Sequence, residues 1–149
     1  MAEPASLANL ADTIRVAVAP VFLLTGVAAL LSVMTGRLAR IIDRAREFES
    51  KPRESLAPDQ GAELRLIPAR IKLINCSILL SGISAFAVCL VIALLFVSSL
   101  IHLHIGIAVA LTFIVSMLLL MGALVTFIAE VRLAISLLYV SEDALFVSR

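Results

Sequence analysis

The sequence predicts an all-α membrane protein with three transmembrane helices, and three observations carry that prediction. Val16–Gly36 carries only uncharged side chains. Leu73–Ala129 does too, interrupted only by His102 and His104. The 149 residues are 62% hydrophobic and 15% charged, whereas a soluble domain has about 25% charged residues. A charge-free apolar run of about 20 residues crosses the roughly 30 Å hydrocarbon core of a bilayer. The second run is too long for one crossing and suits two, joined at the histidines. Its apolar residues are continuous rather than periodic, which a soluble core does not explain. One unit of about 150 residues is the simplest organisation.

The distribution of charge orients the spans. Of 12 Lys and Arg, nine lie between Arg37 and Lys72. Basic residues stay on the cytoplasmic side. The chain is therefore expected in the cell's inner (plasma) membrane with its N-terminus outside and its C-terminus inside. A formal net charge of +1 argues against a nucleic-acid partner. The first 14 residues hold no Lys or Arg and no apolar core, so no cleavable signal is expected there.

The elements are expected in the following order. Leu7, Leu10, Ala11, Ile14 and Val18 recur at helical spacing, with Asn9, Asp12 and Arg15 elsewhere on the wheel. This pattern predicts an interfacial helix over 7–19. Pro20 suits the first turn of span 1, over 20–36; the alternative is one long helix kinked at Pro20. The helix of span 1 is expected to continue into the cytoplasm, and 37–72 to form a cytoplasmic helical hairpin extension between spans 1 and 2. Leu38, Ile41, Ile42, Ala45 and Phe48 form its first apolar stripe, and Leu64, Ile67, Ile71 and Ile74 its second. Ser50–Gln60, with Pro52 and Pro58, is expected as the loop between them. Pro68 either kinks the second arm or starts span 2. Span 2 is expected over 73–101, span 3 over 105–129, and a cytoplasmic tail over 130–149, with a polar patch at Ser141–Asp143.

Span 3 carries the clearest pattern. Ala108, Thr112, Ser116, Leu119, Ala123, Thr126 and Glu130 share about a quarter of the helical wheel. Ile107, Ile114, Leu118, Met121 and Val125 lie opposite. Leu119 apart, one face is small and polar and the other fits lipid. On span 1, Thr25, Ser32, Gly36 and Asp43 share a face. On span 2, Ser77, Ser81, Ala85, Cys89 and Ala93 recur every four residues, the spacing of a right-handed close crossing. Thr25, Ser32, Thr112, Ser116, Thr126 and Glu130 are thus candidates for a polar pathway, and helix packing is the plainer explanation of the same pattern. Glu130, near the membrane boundary, needs a partner. Arg37, Arg40 and Lys72 stand at a similar depth. Arg37, Arg40 and Arg44, with Asp43, are candidates for anionic headgroup contact on the cytoplasmic face or for the inner mouth of a pore.

No catalytic chemistry is expected. There is no nucleophile set, phosphate loop, HExxH or CxxC pair, so the chain is expected not to be an enzyme and to hold no cofactor. His102 and His104 are too few for a metal site. Cys76 and Cys89 are 13 residues apart, about 20 Å along one helix, and cannot pair.

The segments Pro20–Gly26, Arg37–Arg44, Arg70–Asn75 and Phe127–Ala134 together resemble a bacterial family of short three-span membrane proteins catalogued only as a domain of unknown function. The resemblance runs from about Ala11 to Leu145. It implies three helices, an outer N-terminus and a charged cytoplasmic loop, and it brings no activity, cofactor or site residue. The functional expectation is a homo-oligomer acting as a channel-like or permeation element. The alternative is a non-catalytic scaffold or regulatory partner in a larger membrane complex.

Overall fold

Three long helices account for the described backbone of the computed structural model: α1 (Pro4–Glu49), α2 (Pro58–Ile101) and α3 (Gly106–Val147). The structure describes residues 4–49, 58–101 and 105–147, with side chains over 11–49, 64–101 and 105–135. Backbone groups in hydrocarbon have no water to bond, so each apolar run closes its hydrogen bonds within itself as a helix. The segments Ala11–Glu49, Leu64–Ile101 and Gly106–Ile135 each contain an 18-residue stretch whose mean hydropathy is 2.4, 2.8 and 2.6 respectively, and each is long enough to cross a membrane. Little of their apolar surface is buried within the chain. Phe22, Phe86, Leu100 and Ile107 all stand more than 70% exposed. Such a coat is costly in water and ordinary in lipid. The chain is an all-helical protein with the three apolar helices of a multi-pass membrane protein.

Each helix turns a seven-residue repeat inward. α1 buries Pro20, Val27, Met34, Ile41 and Phe48, each seven positions after the last. α2 buries Ile67, Ile74, Ser81 and Val88, with Ser77, Ser84 and Val91 on a parallel row. α3 buries Ser116, Ala123 and Glu130. Seven residues, not four, is the spacing of the buried positions along each of these rows. It corrects the four-residue expectation for span 2. Ser77 and Ser81 are buried, but Cys89 and Ala93 have rotated out to the exposed side, because a four-residue step drifts about 40° each time.

The helices contribute to two compact units. The first comprises Met1–Leu31 and Leu80–Met121. Ala17, Val27, Val88 and Val91 form its buried apolar part, and Ser81, Ser84 and Ser116 are buried among them. The Ser84 hydroxyl donates to the Ser116 carbonyl at 2.8 Å, tying α2 to α3. Small side chains here let backbones approach, and van der Waals contact replaces the missing hydrophobic drive.

The second unit comprises Ser32–Leu79 and Gly122–Arg149. Met34, Ile41 and Phe48 on α1 pack with Ile67 and Ile74 on α2, flanked by Leu38, Ala45, Leu64, Ile71, Ile78 and Phe127. The Ser77 hydroxyl donates to the Met34 sulfur at 3.1 Å. Arg40, Asp43, Arg46, Glu47 and Glu49 stand exposed on the far side of α1. This end is therefore wet, and burying Phe48 contributes about 1.5–3 kcal/mol.

Two expectations about element boundaries are corrected. Residues 7–19 are not a separate interfacial helix; they are early turns of α1, which runs unbroken through Pro20. A proline removes one helical hydrogen bond, and membrane helices tolerate that loss. Pro20 is itself buried at a repeat position, so packing holds the helix across it. The segments expected as arms of a hairpin extension over 37–72 are continuous with the spans. They are parts of α1 and α2, which contains Pro68 in its interior, and Phe127 of α3 packs against the same core. Of the expected loop over 50–60, Pro58–Gln60 belong to α2. Residues 50–57, His102 and His104 lie outside the described residues, and the Ser141–Asp143 patch has a helical backbone with side chains outside them.

Candidate functional site

The second unit contains the polar group that all three helices share. Glu130 sits at the end of the buried row of α3, with its side chain fully enclosed. Arg70 of α2 donates to its Oε1 twice, from Nε at 3.2 Å and from Nη2 at 3.0 Å. Arg37 of α1 places Nη2 3.0 Å from Oε2. That second contact is an ion pair without good hydrogen-bond geometry, and Oε2 has no hydrogen-bond donor. The Arg37 guanidinium also lies 5.6 Å from the centre of the Phe127 ring on α3. A carboxylate in this position requires a cationic partner, and the two arginines supply it from opposite helices.

The arginines also open outward. Arg37, Arg40, Arg44 and Arg70, with Ile41, line a cleft of about 360 Å³. Arg44 stacks 4.7 Å from the centre of the Phe48 ring and pairs with Glu47 at 2.7 Å. Arg40 is exposed and pairs with no carboxylate among the described residues.

The structure brings Arg37, Arg40, Arg44 and Glu130 into this one region. Asp43 is exposed and does not line the cleft. Of the three partners expected for Glu130, Arg37 takes the role. Arg40 and Lys72 are exposed, and Arg70 replaces them. Arg70 escapes a reading based on membrane depth alone. The seven-residue row would find it, since it precedes Ser77 and Ser84 by one and two repeats.

The pathway candidates are placed differently. In the first unit, the Thr25 hydroxyl donates to the Val21 carbonyl at 3.4 Å and Thr112 to Ala108 at 2.8 Å. Ser116 is buried and donates to the Phe113 carbonyl at 2.7 Å. In the second unit, Thr126 donates to the carbonyls of Gly122 and Ala123 at 3.0 and 2.9 Å. Ser32 is exposed, and its carbonyl accepts from the Thr35 hydroxyl at 3.1 Å. Each of these hydroxyl donors closes onto its own helix. Among the residues whose side chains are described, no group of three His, Cys, Asp or Glu is placed to hold a metal.

A family model described as "Protein of unknown function (DUF2721)" matches residues 17–140. The chain belongs to this family. The match takes in Arg37, Arg70 and Glu130 and all three apolar helices, and the family carries no assigned activity. No curated protein and no solved structure matches the chain.

Proposed function

We propose a non-catalytic membrane protein that functions as a homo-oligomer, with a channel-like polar route formed between subunits along α1. The observation that carries this reading is the outward polar face of α1. In the second unit Ser32 and Asp43 are exposed, and a side chain at Gly36 would meet open space. In the first unit Thr25 is exposed on the same helix, and Gly26 beside it is equally open. Small and polar residues at such a face favour a close helix neighbour over lipid, and cyclic closure supplies one to every subunit. The concentration of basic residues between Arg37 and Lys72 supports an inner (plasma) membrane location with that segment cytoplasmic and the N-terminus outside. Anionic headgroups of that leaflet then attract the same arginines.

The test is the mass of the purified protein in mild detergent, followed by ion flux in liposomes. A closed oligomer that Ser32→Leu dissociates, together with flux, supports the proposal. A monomer without flux overturns it. A second reading is a scaffold or regulatory subunit of a larger complex. It is favoured by the closure of the Thr112, Ser116 and Thr126 hydroxyls on their own helices, which commits these three hydroxyl protons to the backbone. Co-purification of a monomer with a different membrane protein supports that reading.

A further inference from the structure

We propose that the cleft lined by Arg37, Arg40, Arg44 and Arg70 is a discrete binding site for a phosphate group. Diffuse attraction of basic residues to a charged surface requires no shape. This cleft has one. It draws guanidinium groups from two helices around about 360 Å³, within the ordinary range of small-ligand sites.

The charge there is unbalanced. Arg37 and Arg70 share the single carboxylate of Glu130, so their group retains one positive charge. Arg44 has Glu47 beside it, and Arg40 adds a second cation that pairs with no carboxylate among the described residues. Arg37 and Arg70 are anchored by Glu130 while their side chains remain 29% and 17% exposed. Pre-positioned guanidinium groups are suited to bidentate contact with phosphate oxygens. Ile41 contributes an apolar wall.

The level along the helices fits a phosphate. Arg37 is the first charge after the 21 uncharged residues Val16–Gly36 of α1, which span about 30 Å. Glu130 is the first charge after the uncharged run of α3, and Lys72 and Arg70 are the last charges before that of α2. All three helices thus bring their first charges to the edge of the hydrocarbon, where lipid phosphates lie. A phosphodiester headgroup and a free phosphate share the chemistry this site recognises. The inference is independent of subunit number.

The experiment uses the full chain in mild detergent. Native mass spectrometry measures retention of phosphatidylglycerol against phosphatidylcholine, with and without inorganic phosphate as competitor. The expected result is a preference for phosphatidylglycerol of at least about tenfold, lost in Arg40→Gln/Arg44→Gln. Neither of those residues touches Glu130 in the triad, so the variant is expected to keep its helix content, with the melting temperature lowered only slightly by loss of the exposed Arg44–Glu47 pair and the contact on Phe48. Arg15→Gln/Arg132→Gln removes two exposed charges elsewhere and is expected to retain the lipid. Displacement by millimolar inorganic phosphate identifies the phosphate group alone as sufficient. Resistance to displacement identifies the lipid as the source. Equal loss in both double variants, equal retention in both, or no binding of either probe overturns the site.

Discussion

Arg70 on α2 grips Glu130 on α3 with two hydrogen bonds to one oxygen, while Arg37 on α1 reaches the other oxygen alone. The two arginines are therefore unequal partners. Arg70 is also the more enclosed of the two. Hydrogen bonds to a charged group contribute about 1.5–3 kcal/mol each. Arg70→Gln is expected to lower stability in detergent by about that amount or more, and Arg37→Gln by less. Thermal unfolding of the two variants side by side measures the order, and the reverse order contradicts the geometry.

Ser116 has no room to grow. It is fully buried in the first unit and accepts the Ser84 hydroxyl on its carbonyl. Ser116→Leu inserts three extra carbons into that contact and is expected to cost about 1–3 kcal/mol through overpacking. Ile114→Ala, on the exposed side of the same helix, is expected to change the melting temperature little. Comparable effects from both would place the polar face of α3 against lipid.

Two phenylalanines separate packing from lipid exposure in the same way. Phe48 is 3% exposed in the core of the second unit, and Phe86 is 72% exposed. Phe48→Ala leaves a cavity and is expected to cost about 3–5 kcal/mol. Phe86→Ala in detergent is expected to cost far less. Urea or thermal unfolding of both variants distinguishes them.

The continuity of α1 through Pro20 is measurable as a length. Ile14 and Ala29 are both exposed in the first unit. One helix separates their backbones by 15 residues, about 22 Å at 1.5 Å per residue. Spin labels at the two positions are expected to report a single narrow distance near that value, allowing for the label arms. A much shorter or broad distribution would restore the separate surface helix over 7–19.

The three spans were legible in the sequence because lipid leaves a simple trace there. Charge vanishes for the length of a bilayer, and Val16–Gly36 and Leu73–Ala129 show it directly. The continuity of the helix through Pro20 was not legible. A proline at the first turn of a helix and one in its interior read alike when apolar residues lie on both sides. Only burial of Pro20 on the row of Val27 and Met34 separates the two cases. Glu130 and Arg37 were found as first charges beyond their spans, whereas Arg70 was hidden by its neighbour Lys72, two residues closer to the apolar run. Choosing between them requires rotation about the helix axis. The row through Arg70, Ser77 and Ser84 faces inward, and Lys72 points away. The outward position of Ser32 was also out of reach, since small residues mark close packing without saying which helix does the packing.

The central claim is that three apolar helices close around one carboxylate shared by two arginines. A double-mutant cycle of Glu130→Gln and Arg70→Gln, read by thermal unfolding in detergent, tests it most directly. Glu130→Gln alone strands two partly buried cations and is expected to cost up to about 3–5 kcal/mol, the loss seen when a buried pair is broken. With Arg70→Gln added, the further loss is expected to be small, because the pair is already broken. Losses that simply add would show that the two residues do not interact and would contradict the account.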